Sequence, residues 1–308
     1  MTVGSLSDGI LKAVSASLLN WTSMIIDGRL IAGKLIEDLK SKSGPWRDKF
    51  FGAVLVGEDP ASLNFLKQKE KIAKELGVGF RLYKIPETTS TDDLRAEIGM
   101  LSKPKNCGGF IVQLPLPDSV NKHYVLNAIP KEKDVDCLGE KALGAFYTGR
   151  GEVAPPSVET VAEVLKHHFG PTSIETKADK GNQSLRDKKF VLIGAGFLIG
   201  KPVGFWLQNR AGEVTILDSS IKDVWKKISD ADVVICGAGH AGLFGANDLK
   251  VGALVIDFGF NKKEDGKTIG DFDPVGAEEK NIAYTKTPGG TGPILVAELY
   301  ENLWKLNS

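Results

Sequence analysis

The sequence predicts an α/β protein of two domains: an N-terminal α/β domain followed by a C-terminal Rossmann-type, doubly wound domain. Three observations predict it. From residue 29 onward, short strand-like apolar runs alternate with segments of helical period. A glycine-rich turn follows the apolar run at 190–193. At ~150 residues per domain, a chain of 308 residues is long enough for two cores.

In the first domain, Leu30 to Ser41 reads as a helix, Gly52 to Val56 as a buried strand, and a second helix opens at Asp59-Pro60. Phe80 to Ile85 reads as a strand, Ser90 to Asp93 as a capping box, and Gly109 to Gln113 as a strand running into Leu114-Pro115-Leu116-Pro117. Such alternation implies a parallel sheet, which binds ligands outside the carboxyl ends of its strands. The second helix begins at one such end and Gln113 lies at another, so polar groups converge on one edge of the domain.

Lys69 is the most informative residue. It falls in the inner row of the second helix with Phe65, Ile72, Ala73 and Leu76, while Lys67, Gln68, Glu70, Lys71, Lys74 and Glu75 form the wet face. A lysine there either snorkels its ammonium to water, the commoner case, or keeps it in a poorly solvated cleft where its pKa falls into the catalytic range. Lys69 is therefore a candidate acid/base. Lys133-Asp134-Val135-Asp136 follows Pro130 in a loop, where an acid such as Asp136 is most simply a turn former.

Pro155-Pro156 marks a composition break and domain junction, followed by a helix from about Val158 to His168 that ends in two surface histidines. Residues 171–187 are polar and read as an insertion or loop. The run from Lys189 to Ile193 is a strand entering Gly194-Ala195-Gly196-Phe197-Leu198-Ile199-Gly200. Glycines at a strand-to-helix turn let backbone approach a pyrophosphate, which the helix N-terminus binds. The spacing is GxGxxxG, and alone it is equally well a tight turn. Context favours a nucleotide: Glu213 to Leu217 reads as the next strand, and Asp218 at its end is placed to accept hydrogen bonds from an adenosine ribose. Strands at 231–236, before Gly237, and at 253–257 complete the doubly wound unit. The cluster from Thr287 to Pro293 then leads into a final amphipathic helix ending near Leu306.

Lysine plus arginine and aspartate plus glutamate each total 39, so the balance points away from nucleic acid, anionic membranes and polyanions. Cys107, Cys137 and Cys236 are dispersed without metal-ligand spacing, which argues against a zinc site or disulfide framework and fits the cytoplasm. No apolar run approaches the ~20 residues of a membrane span. Residues 1–23 carry one basic residue, Lys12, and no signal-peptide pattern; they read as an N-terminal extension, or translation begins at Met24.

In order along the chain stand Val56 to Ser62, Lys69, Gln113 to Pro117, Lys133 to Asp136, Gly194 to Pro202, Gly270-Asp271 and Pro288 to Pro293. With these motifs the chain resembles the bifunctional methylenetetrahydrofolate dehydrogenase/methenyltetrahydrofolate cyclohydrolase family from about residue 25 to its C-terminus. The resemblance implies a folate-binding catalytic domain at 24–154 plus 293–308, an NAD(P)-binding Rossmann domain at 155–292, and an active site in the cleft between them. It implies tetrahydrofolate as the substrate carrier, NADP or NAD as cofactor, no metal, and a homodimer. Lys69 matches the catalytic lysine, Gln113 the glutamine that tunes it, and Asp136 the acid that anchors the pterin. Phe65, Pro288, Gly289 and Gly290 match substrate-lining positions, and Gly194, Ala195, Gly196, Gly200, Asp218 and Gly237 fall at the nucleotide.

The chain also departs from the family. Phe65 replaces the usual tyrosine and lacks its hydroxyl, which bears on cyclohydrolase efficiency; Cys137 replaces a glycine, and Ala142-Leu143 replaces the asparagine before Gly144. Pro155-Pro156-Ser157-Val158 stands for proline-cysteine-threonine-proline, Gly196 for serine, Ala195 for a frequent arginine, and Asp218 for a frequent histidine. Asp218 would repel a phosphorylated ribose, favouring NAD. Two alternatives stand beside the bifunctional enzyme: a dehydrogenase with weak or no cyclohydrolase, and a non-catalytic folate- or nucleotide-binding paralogue.

Overall fold

The computed structural model describes residues 24–42, 44, 48–171, 173–174, 185–218, 224–263 and 266–308. The expected extension at 1–23 and most of the insertion at 171–187 lie outside the described residues.

The first unit is a parallel three-stranded sheet. After β1 (Ile25–Ile26) and α1 (Gly28–Ser41) come β2 (Phe50–Val56), α2 (Pro60–Leu76), β3 (Gly79–Ile85), α3 (Thr91–Ser102) and β4 (Cys107–Val112). The sheet order is β3-β2-β4, and every residue of the central strand β2 is buried. A parallel strand covered on both faces is apolar throughout, hence the continuous run at 50–56. Ser90 caps α3, its Oγ accepting the Asp93 N–H at 3.2 Å.

The second unit is a six-stranded parallel sheet. Across the junction run α4 (Pro156–Phe169), β5 (Lys189–Ile193), α5 (Gly200–Gln208), β6 (Glu213–Leu217), β7 (Val233–Cys236), β8 (Leu254–Asp257), β9 (Ala283–Thr285) and α6 (Thr291–Lys305). Their sheet order is β1-β9-β8-β7-β5-β6. Ile25 and Ile26 thus pair with Tyr284 and Thr285 in the second sheet, although the pattern at 24–154 reads as first-domain sequence. A two-residue strand has no period of its own, and its pairing is set by a contact some 260 residues away in sequence.

Helix α4 packs Val158, Val161 and Leu165 into the core of the second sheet with Phe190 and Leu192. Helix α6 turns back instead, placing Leu299, Tyr300 and Leu303 against Phe51 and Leu66 of the first sheet's core. His167 is exposed as expected, whereas His168 is partly buried with its Nδ1 unpartnered, and burial lowers the pKa of its imidazole.

Candidate active site

Helix α2 presents the lysine. Asp59 caps it, accepting the Ser62 N–H at 2.7 Å, and Gly77 ends it at φ +72°. The buried line is Ser62, Leu66, Lys69 and Ala73, with Phe65 and Ile72 flanking it toward the cleft. Lys69 is only 8% exposed, and it does not snorkel: its Nζ donates to Gln113 Oε1 at 2.7 Å. Gln113 Nε2 in turn donates to the Leu114 carbonyl at 2.7 Å, which fixes the amide with its oxygen toward the lysine. Burial lowers the pKa of Lys69, opposed by the Asp136 carboxylate, and burial raises that of Asp136, opposed by the Lys69 ammonium. The two affinities for a proton are driven toward each other, the condition for moving a proton near neutral pH.

The loop after Pro130 separates its charges by role. Lys133 Nζ donates to the carbonyls of Ser102 at 2.6 Å and Pro104 at 2.7 Å, closing the end of α3. Asp134, fully buried, accepts the N–H groups of Leu138 at 3.1 Å and Gly139 at 2.7 Å, and burial pushes its carboxyl up to about 7. Asp134 is therefore the turn former, and Asp136 turns into the cleft. Cys137 follows at φ +53°, a left-handed conformation that glycine takes at no steric cost.

Two residues that sequence reasoning missed hold these pieces in place. Tyr300 donates its hydroxyl to the Lys69 carbonyl at 2.5 Å, and Asn302 Nδ2 donates to the carbonyls of Val135 at 2.9 Å and Ala154 at 2.8 Å. In the sequence they are two polar marks on an amphipathic helix; only their buried positions, in line with Leu299 and Leu303, carried a signal.

Two cavities open along the domain junction. The inner, of about 250 Å³, is lined by Lys69, Gln113, Asp136, Pro156, Leu198 and Ile199. The outer, of about 540 Å³, is lined by Arg29, Lys71, Phe260 and the loop containing Pro288, Gly289 and Gly290. Phe65 borders both. The 288–290 loop thus lies beyond Phe65, away from the lysine. It packs tightly: a Cβ on Gly28 would stand 1.7 Å from the Gly290 carbonyl oxygen, and Gly289 has φ +102°.

The glycine turn after β5 is a tight one. Gly194 has φ +108°, and a Cβ on Gly200 would stand 1.9 Å from the Gly194 oxygen, so the turn is closed to side chains at both positions. Gly196 is exposed and its neighbour Ala195 half-buried, and a Cβ on Gly196 would meet nothing within 4 Å. Gly194 N–H donates to the Leu217 carbonyl at 2.8 Å, which sets Asp218 beside the turn. Gly237 N–H donates to the Ile193 carbonyl at 3.1 Å on the other side. Ser157 Oγ donates to the Leu198 carbonyl at 2.6 Å, tying this loop to α4 where it walls the lysine cavity. Lys222, a cation near Asp218 in sequence, lies outside the described residues.

Among the described residues, Cys236, Asp257 and Asp271 bring three potential metal-ligand atoms within 4.8 Å of one another. Hydrogen bonds already occupy the carboxylates. Asp257 accepts from Gly259 N–H at 2.6 Å, Phe272 N–H at 3.0 Å and the Cys236 thiol, and Asp271 accepts from the N–H groups of Ala238, Gly239 and His240 and from Asn261 Nδ2. The cluster pins the loops at the sheet's carboxyl end.

Comparison with known proteins gives this geometry a family. The catalytic domain of tetrahydrofolate dehydrogenase/cyclohydrolase matches residues 26–136, and the NAD(P)-binding domain of the same family matches 170–308. The bifunctional protein FolD of Heliobacterium modesticaldum is 33% identical over 286 residues, covering 92% of this chain and 95% of that one. The chain belongs to the tetrahydrofolate dehydrogenase/cyclohydrolase family. Among solved structures, the bifunctional FolD of Campylobacter jejuni aligns with a TM-score of 0.81 at 31% identity, covering 92% of this chain and 98% of that one. The Trypanosoma brucei FolD complexed with NADP and an inhibitor aligns at 0.80 and 27% identity, covering 92% and 96%. Leu198 of the glycine turn and Lys69 of the first unit line the same cavity.

Proposed function

We propose that this chain oxidises 5,10-methylenetetrahydrofolate to the methenyl cation with a nicotinamide dinucleotide, and hydrolyses that cation to 10-formyltetrahydrofolate in one-carbon metabolism. The observation that carries the reading is the buried Lys69–Gln113 hydrogen bond inside a cavity walled by the nucleotide loop. When bound, the dinucleotide supplies the hydride acceptor for the first step. Gly194, Ala195, Gly196, Gly200 and Gly237 would carry its phosphates and Asp218 its adenosine ribose.

For the second step, Gln113 holds one N–H of Lys69 and leaves the rest of the nitrogen to the cavity. In its neutral form the amine takes a proton as water adds to the methenyl carbon; a C–O bond forms. The C–N bond then breaks as the new hydroxyl loses its proton to water and becomes the formyl carbonyl, and the leaving nitrogen receives the proton held by the amine, so the amine is restored and one proton is released. Asp136 anchors the pterin by accepting from its ring N–H groups. Phe65 lies against the arene, and the 288–290 loop lines the path outward.

The reading takes NAD to be used at least as well as NADP. A second phosphate beside the Asp218 carboxylate, with no donor side chain supplied by Ala195 or Gly196, costs on the order of one to several kcal/mol. It also takes the enzyme to be cytoplasmic, as its dispersed cysteines suggest, and a homodimer, as the resemblance implies; among the described residues β6 is an edge strand with Ile216 37% exposed. Among the described residues no helix is long and apolar enough to cross a membrane. A spectrophotometric assay of methylenetetrahydrofolate oxidation with each dinucleotide tests substrate and cofactor together; absence of turnover with both would overturn the reading.

A further inference from the structure

Phe260 is a large aromatic ring left 45% exposed at the mouth of a cleft, on backbone that is held on both sides. Gly259 N–H donates to Asp257 at 2.6 Å, and Asn261 Nδ2 donates to Asp271 at 3.0 Å, both acceptors being buried carboxylates. Gly259 leaves no slack, since a Cβ there would stand 2.3 Å from the Asp271 nitrogen. Immediately after Phe260, Asn261 and Lys262 pair with Thr268 and Ile269 in a short antiparallel ribbon.

The ring reaches across the domain junction. Its centroid lies 5.2 Å from that of Phe65, with the planes inclined at 59°. Phe65 stands one helical turn before Lys69 and borders both cavities, while Phe260 borders only the outer one among the cavities described. The two rings therefore meet where the lysine cavity opens into the larger outer one. An exposed ring on anchored backbone, meeting the half-buried Phe65, resembles a preorganised binding site more than a core contact, because its ordering is already accomplished before a ligand arrives.

We infer that Phe260 is a substrate-binding residue: with Phe65 it forms an aromatic clamp, contributed by both domains, that grips the arene linking the pterin of the substrate to its glutamyl tail. This rests on the folate reading above. With the pterin at Lys69 and Asp136, the arene lies at the junction of the two cavities and the carboxylated tail extends past Arg29 and Lys71. The rings exchange their contact with each other for contact with the arene, so binding keeps aromatic stacking and adds burial of an exposed ring. The hydroxyl missing at Phe65 is thereby offset in affinity, though not in chemistry.

The test is calorimetric titration of the full chain with tetrahydrofolate, and separately with NAD, for the parent and for Phe260→Ala, Phe260→Leu and Phe260→Tyr. Phe260→Ala is expected to weaken tetrahydrofolate ~5- to 30-fold, Phe260→Leu to weaken it although apolar bulk is kept, and Phe260→Tyr to restore parental affinity; NAD binding stays within about twofold. Equal or tighter tetrahydrofolate binding by both Phe260→Ala and Phe260→Leu would overturn the clamp and make the ring a plug. A parent that binds no tetrahydrofolate overturns the functional reading itself, a result distinct from a parent that binds and is indifferent to Phe260.

Discussion

The hydroxyl of Tyr300 donates to the main-chain carbonyl of Lys69 at 2.5 Å, so the last helix of the chain grips the backbone of the lysine that carries the proposed hydrolysis. Asn302, in the same helix, grips the carbonyl before Asp136. Both ends of the proposed proton-handling pair are thus referenced to one helix, with Asn302 fully buried.

Removing the first grip separates positioning from packing. Tyr300→Phe keeps the ring against Phe51 and deletes one hydrogen bond, so a stability loss of ~1 kcal/mol is expected by chemical denaturation. Cyclohydrolase kcat is expected to fall several-fold while the KM for the dinucleotide stays put. Unchanged hydrolysis would mean that Lys69 is held well enough by Gln113 alone.

Glu298 gives the enzyme a pH-dependent stability. It is 2% exposed on α6, and burial, reinforced by Glu159 and Glu163 and opposed by Lys305, pushes its carboxyl from 4.5 up to about 8. The folded protein binds this proton more tightly than the unfolded chain does. The contribution is therefore whole below about pH 4.5 and is lost as pH rises through about 8. Glu298→Gln is expected to match the parent at pH 4.5 and to exceed it at pH 8 by on the order of 1–4 kcal/mol in denaturant titrations. Parallel curves for the two proteins across this range would show that Glu298 is not the group responsible.

Phe65→Tyr adds one oxygen a helical turn from Lys69, at a ring that is already half-buried. Cyclohydrolase rate is expected to rise or stay level with the fold intact. A large loss would show that the site has repacked around phenylalanine.

Asp218→Ser removes the carboxylate from the end of β6. Relative to the parent, the ratio of kcat/KM for NADP over NAD is expected to rise roughly tenfold or more. A parent that already prefers NADP, with no change on substitution, would remove the carboxylate from the argument.

Much of this architecture was legible because periodicity survives folding. Lys69 announced itself by standing in an apolar row, and the buried strand β2 by its unbroken apolar run. The charges of the 133–136 loop were not legible from spacing: the resemblance singled out Asp136, but without it only the partners assign helix closure to Lys133, the turn to Asp134 and the cleft to Asp136. Long-range pairings were silent for the same reason. Neither the docking of Ile25–Ile26 beside β9 nor the meeting of Phe65 with Phe260 has a local signature, since each joins segments some two hundred residues or more apart.

The central claim is that a buried, oriented lysine amine performs the hydrolysis. Lys69→Met keeps the stem and deletes the amine, so the most direct measurement is the rate at which this variant hydrolyses methenyltetrahydrofolate beside the parent, with dinucleotide binding as the check on folding. The account predicts that hydrolysis falls to the uncatalysed rate while dinucleotide affinity is retained. Hydrolysis at the parental rate by a folded, nucleotide-binding Lys69→Met protein would contradict it and leave Lys69 a structural residue.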